Sequence, residues 1–185
     1  TYRIDDHRFF TLENYDRCYG DNYFNNTRLG IHQKVWKGDP TGYRGRVVID
    51  DISGTNVVLP TARNSSCGDR GCTNYFAYST DSGRTFRWSD YKEYSFSPSE
   101  DSKKFLIVAT KDKVYVAEDV QGDDYVRGFP LVKDIDLGKP YPPGVTGGNF
   151  TGSRRPLFLP AFHTPSGQDR FTCDASIRSA GQPTT

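Results

Sequence analysis

Residues 79–86 read Ser79-Thr80-Asp81-Ser82-Gly83-Arg84-Thr85-Phe86, the Ser-x-Asp-x-Gly-x-Thr-aromatic spacing of an Asp-box turn. The stretch lies between two strand-like runs, Tyr75-Phe76-Ala77-Tyr78 and Thr85-Phe86-Arg87-Trp88, and therefore predicts a β-hairpin. Asp81 is placed to accept backbone N–H bonds across the turn, Gly83 to take a positive φ that a Cβ would oppose, and Phe86 to plug a core. Ser79 and Thr85 complete this structural turn, which is a folding device and carries no chemistry.

Working outward, the chain has 12 Tyr, 12 Phe and no Met, with 35% hydrophobic residues. Its core must then be built from aromatic and β-branched side chains, which favours sheets. The 18 Gly and 11 Pro are scattered throughout, and no stretch of about fifteen residues keeps a helical apolar period. Further hairpins are expected from Tyr2–Ile4 with Arg8–Leu12, and from Gly45–Ile49 with Asn56–Leu59 around the turn Asp50–Gly54. After a polar stretch from Ser95 to Lys104, Phe105–Ala109 and Val114–Ala117 bracket Lys111-Asp112-Lys113. Gly128–Val132 adds a short strand, with Pro130 expected at a sheet edge.

The fold class is thus mainly β, with little helix. Antiparallel hairpins form either a sandwich or partial propeller-like blades, and the Asp box does not choose between them. Residues 1–137 form the β-rich domain. Residues 138–185 are a Pro/Gly-rich segment expected to pack back on the body through Leu157-Phe158-Leu159, Phe162 and Phe171-Thr172-Cys173, with a frayed end from Ser179 to Thr185. Asp boxes recur on the blades of sialidases, but those enzymes need several boxes and an arginine cluster. One box in 185 residues argues against that reading.

The 24 basic and 23 acidic residues leave a formal charge of +1, so there is no electrostatic footprint for nucleic acid or an anionic membrane. The expected partner is protein or glycan. No apolar run approaches the roughly 18 residues of a membrane span. The chain opens on Thr1 rather than Met, so a leader is expected upstream. Cys18, Cys67, Cys72 and Cys173 make an even count and are read as two disulfides in an oxidising compartment. Three connectivities are possible, and close spacing makes Cys67 with Cys72 the natural pair, leaving Cys18 with Cys173. A zinc site does not fit the Cys-x4-Cys spacing, and no second ligand pair accompanies it.

Common catalytic signatures are missing: there is no nucleophile elbow, His-Glu-x-x-His, phosphate loop or EF-hand. His7, His32 and His163 lie in polar or loop contexts, and none reads as a general base. No cofactor or metal is expected. The acidic run Glu118-Asp119-Val120-Gln121-Gly122-Asp123-Asp124 reads first as a solvated loop closing a hairpin, next as a negative patch for a partner, and last as a set of oxygens for Ca²⁺, which no EF-hand spacing supports.

One set of segments has a familiar order: Tyr2-Arg-Ile-Asp-Asp-His-Arg-Phe-Phe-Thr-Leu-Glu13, Cys18, Tyr23-Phe-Asn-Asn-Thr27, Gly30-Ile31, Cys67 and Cys72, Tyr78–Phe86, and Val114-Tyr-Val-Ala-Glu118. Over about residues 1–137 the chain resembles the immunity proteins that protect bacteria against type VI secretion lipase effectors of the third class. The resemblance implies an exported periplasmic lipoprotein, anchored through a lipidated Cys upstream of Thr1. It also implies a 1:1 complex with a cognate phospholipase, which the protein neutralises without being an enzyme itself. It supplies no binding motif residue by residue. Hot spots favour Tyr, Trp and Arg, which places the expected contact at Asp123, Asp124, Tyr125 and Arg127. The competing expectation is an extracellular glycan-binding or adhesion module presenting Trp36 and Trp88.

Overall fold

A computed structural model describes residues 1–63, 67–120, 123–150 and 161–177, and within these not the side chains of Val120, Asp123, Asp124 and Phe150. The apolar run Leu157-Phe158-Leu159, expected to pack on the body, and the expected frayed end Ser179–Thr185 lie outside the described residues. Three sheets surround a shared core, and none closes into a barrel, so the fold is mainly β and sandwich-like.

The first sheet runs β1 (Tyr2–Arg3), β2 (Arg8–Asp16), β3 (Tyr19–Asn26) and β4 (Ile31–Gly38), each antiparallel to its neighbour. Alternation sends Phe10, Leu12 and Phe24 inward. Arg8 points the same way and is buried. Its Nε donates to Asp5 Oδ2 at 2.7 Å and its Nη1 to the Asp51 carbonyl at 2.8 Å, so the charge is paired and the sheet is tied to a distant loop. Burial pushes the Asp5 carboxyl up, but hydrogen bonds from Arg8 and from the amides of His7 and Arg8 outweigh it and hold it below the usual range.

The second sheet has the order β13 (Gly148–Phe150), β12 (Asp123–Pro130), β11 (Lys113–Val120), β10 (Phe105–Thr110), β5 (Arg46–Asp50). The hairpin β10–β11 pairs Phe105 with Glu118 through Ala109 with Val114. Two expectations are corrected here. β5 does not pair with the strand after it. It pairs in parallel with β10, from Leu106 opposite Arg46 to Thr110 opposite Asp50, and β6 (Val57–Pro60) belongs to another sheet. The reason is burial on both faces: Val47 and Ile49 face the main core, while Val48 joins Val108, Tyr115, Ala117 and Val126 on the reverse side. Nor is Pro130 on an edge strand. β12 lies between β11 and β13, and the proline is accommodated at its end, beyond Val126–Gly128, where β13 pairs.

The third sheet joins β6, β7 (Cys67–Gly68), β8 (Gly71–Ser79) and β9 (Arg87–Ser95). β9 pairs only with β8 among the described residues, and register shifts interrupt the ladder between Cys72 and Tyr75. A five-residue helix, α1 (Pro98–Ser102), follows it.

Residues 161–177 lie against the body. Val47 N donates to the Asp169 carbonyl at 2.8 Å, and Thr164 Oγ1 lies 2.7 Å from the Tyr2 hydroxyl and accepts from Ile49 N at 3.1 Å. Phe171 enters the main core and Phe162 stacks on Tyr115 over the reverse face of the second sheet. Cys18 is bonded to Cys173 and Cys67 to Cys72.

Candidate functional site

The Asp-box turn is built from its own side chains. Asp81 accepts from Thr85 N at 2.9 Å and from the hydroxyls of Thr85 at 2.5 Å and Ser79 at 2.7 Å. Ser79 Oγ accepts from Gly83 N at 2.9 Å. Gly83 has φ +86°, and Phe86 packs on the core with its ring 6.1 Å from that of Phe24. The signature side chains Ser79, Asp81 and Thr85 are thus spent on closing the turn, which supports the fold.

Of the four expected contact residues, the structure brings two together. Tyr125 and Arg127 lie on β12 and line a groove of about 460 Å³ with Asp90, Lys92 and Glu93 of β9 and Glu118 of β11. Tyr125 is 36% exposed. Arg127 is half-buried, donates to the Tyr91 carbonyl on β9, and lies 5.7 Å from the centre of the Phe129 ring. It thus bridges two sheets as well as facing the groove. Lys92 Nζ is 3.3 Å from Glu118 Oε1. Asp123 and Asp124 pair through their backbones with Val120 and Asp119; the contact expected of their side chains lies outside what is described.

Tyr91, at the base of the groove, is buried against Phe105, with ring centroids 4.9 Å apart, and donates its hydroxyl to the Thr61 carbonyl at 2.6 Å. Burial pushes the Tyr91 hydroxyl pKa far above the usual value. The ring and its hydroxyl thus tie β9 to the core and to the segment that follows β6.

A second exposed region escaped the sequence reading. Tyr94 is 61% exposed and Phe96 77% exposed, at and just past the end of β9. Both fall where the chain turns polar, from Glu93 to Lys104. Two aromatics at the alternate spacing of a strand read as core-facing, so their residue types gave no signal of exposure. Tyr94 has a left-handed backbone, φ +56°, an unfavourable conformation for a bulky residue.

The residues expected to recognise glycan separate. Trp36 is buried, 7% exposed, and meets Trp88 edge-on at 6.3 Å, with the Arg63 guanidinium 5.4 Å from the Trp36 ring. Only Trp88, at 40%, offers a face to solvent. The exposed pair that the glycan reading called for is therefore replaced by a packed indole and a partner on the surface.

Two of the histidines, His32 and His7, have local side-chain partners. His32 stacks on Tyr23 at 4.2 Å and lies 2.6 Å from Asn25 Oδ1 and 3.0 Å from Glu13 Oε2. His7 lies 3.4 Å from Asp5, and the His163 amide donates to Asp50. No group of three or more His, Cys, Asp or Glu side chains capable of holding a metal ion occurs among the described residues. No helix among them is long and apolar enough to cross a membrane.

A rigid β body with a mixed-charge groove and exposed aromatics is suited to holding a protein surface. Residues 1–118 match the family model described as T6SS Tli3 immunity protein. No curated protein matches the chain.

Proposed function

The chain belongs to the Tli3 immunity proteins of the type VI secretion system, and on that premise we propose that it binds a cognate phospholipase effector in the periplasm and holds it inactive, protecting the cell and its siblings. Family membership carries the reading. Immunity of this kind needs no chemistry of its own, and the protein acts by binding rather than as an enzyme.

Two disulfides accord with an oxidising compartment, and a lipid anchor upstream of Thr1 would hold the protein at the membrane its effector attacks. The rigid scaffold loses little conformational entropy on docking. Residues 1–137 are read as the immunity body and 138–185 as a segment packed against it. Within the groove, Tyr125 supplies an exposed aromatic and Arg127 a charge, with Asp123 and Asp124 at the neighbouring strand ends. The buried Trp36 counts against the glycan-binding reading.

The test is calorimetric titration of the oxidised protein into the type VI phospholipase encoded beside it, together with a phospholipid-hydrolysis assay. A 1:1 complex of nanomolar affinity that abolishes hydrolysis is expected. Absence of both heat and inhibition from the folded protein would overturn the reading for that effector.

A further inference from the structure

Tyr94 and Phe96 are the two most exposed aromatic side chains among the described residues, and they stand two positions apart. Their backbone is clamped from both sides. Ser95 between them is buried and its hydroxyl donates to Asp101 Oδ2 at 2.6 Å. The buried Asn74 of β8 donates to the Pro98 carbonyl at 3.2 Å, fixing the exit into α1. On the other side, the Cys67–Cys72 disulfide closes the β7–β8 hairpin. That hairpin packs so tightly on the chain that a Cβ at Gly71 would lie 2.9 Å from the Tyr94 carbonyl carbon.

The molecule therefore holds a left-handed backbone at Tyr94 and a disulfide-closed hairpin beside it, and leaves both rings largely exposed. An exposed aromatic pair on a clamped backbone is what a protein-binding hot spot requires: large contact area with little backbone entropy left to lose. Glu93 joins the pair to the groove, whose rim carries three carboxylates, Asp90, Glu93 and Glu118, against two cations, Lys92 and Arg127.

A phospholipase must offer an apolar concavity that holds an acyl chain out of water, and a protruding pair of rings is its complement in shape and polarity. We propose that Tyr94 and Phe96 enter the acyl-chain cleft of the effector, with the adjoining carboxylates facing basic side chains on the cleft's rim. The inference rests on the phospholipase reading above and adds where and how the enzyme is blocked.

The experiment uses the same neighbouring phospholipase and two substrates: phospholipid vesicles and a small monomeric ester, p-nitrophenyl butyrate. A plug in the cleft stops hydrolysis of both. The double variant Tyr94→Ala/Phe96→Ala should weaken binding by about 30-fold or more and release both activities. Phe96→Glu, a single change at an exposed position, should do likewise by placing a charge in an apolar site. Tyr19→Ala, which removes a 55% exposed tyrosine from the first sheet, should change affinity by less than about twofold. If the wild type binds and inhibits but the Tyr94 and Phe96 variants do so equally well, the proposed hot spot is wrong while the immunity reading stands. If the wild type blocks vesicles but leaves the small ester hydrolysed, the cleft assignment is wrong. If the wild type neither binds nor inhibits, the immunity reading fails for this enzyme and the inference goes with it.

Discussion

Gly83 is where the Asp box meets the core, and replacing it with Ala separates two costs that are usually entangled. Its φ of +86° disfavours any Cβ, at about 1–2 kcal/mol for the left-handed conformation. The second cost is steric: a Cβ there would lie 2.1 Å from both Cδ1 and Cε1 of Phe24. Phe24 is completely buried and has no easy retreat, because the Phe10 ring lies 5.3 Å away on one side and Phe86 packs edge-on from another. Overpacking of this kind costs about 1–3 kcal/mol. Gly83→Ala should therefore lose about 2–5 kcal/mol, a large share of the roughly 5–15 kcal/mol that stabilises a domain.

Gly30→Ala is the control. Its φ is +65° and nothing lies within 4 Å of the Cβ position, so it bears only the conformational cost of about 1–2 kcal/mol. The stiffening of the unfolded chain by Ala is common to both variants and cancels in the comparison. Urea unfolding of the two proteins, read as midpoint shifts at equal slope, gives the difference directly. In thermal terms, the extra cost should lower the melting temperature of Gly83→Ala by several degrees more, at about 2–4 °C per kcal/mol. If the two variants lose the same stability, the Gly83–Phe24 contact does not confine the core and the reasoning fails.

The disulfides should differ in weight. With sequence separations of 155 and 5, the chain-entropy model gives about 5 kcal/mol for Cys18–Cys173 and about 2 for Cys67–Cys72; urea midpoints of the paired Cys→Ser variants should keep that order, and the reverse order would refute it. The Asp5 and Asp81 carboxyls are both held below the usual range, burial being outweighed by their hydrogen bonds. A depressed folded pKa stabilises above the unfolded value and the stability is lost as pH falls through the folded one, so urea midpoints should drop as pH falls below about 4. Asp5→Asn and Asp81→Asn should flatten that drop, and unchanged pH profiles would exclude both groups. Burial raises the hydroxyl pKa of Tyr2, Tyr43 and Tyr91; their contribution is present below about pH 10 and is lost as pH rises further. Tyrosinate absorbance should then appear in two stages, exposed rings first and these three only with unfolding; a single smooth titration without unfolding would contradict it.

What could be read in the sequence was what is settled locally. The Asp box closes with partners no more than four residues apart, Ser79 to Gly83 and Asp81 to Thr85, so its residue types announce it. The same holds for β10–β11, joined by a two-residue turn at Lys111 and Asp112. The turn after β5 shows where this stops. The Asp51 carboxylate accepts from Ser53 N at 3.0 Å and Asn56 N at 2.9 Å, the same turn chemistry a hairpin would use. Yet the turn carries the chain into another sheet, because Val47–Ile49 find partners in Ile107–Ala109, far along the chain. Turn residues specify that the chain bends, not which strand it meets next.

The candidate surface suffers doubly from this limit. Arg127 was recognisable as a charge beside an aromatic, but its bond to the Tyr91 carbonyl and the groove between β9 and β12 exist only once two sheets are packed together. Tyr94 and Phe96 look in sequence like the core aromatics that surround them; only the left-handed backbone at Tyr94 and the burial of Ser95 turn both rings outward. Trp36 fails in the opposite sense, an apparent binding residue taken up by the core. A catalytic centre can be sought through residue types that its chemistry makes obligatory. A protein that works by holding a partner has no such constraint, since any rigid exposed aromatic will serve. Its family is therefore recognisable along the chain, in residues 1–118, while its contact surface has to be found in the folded molecule.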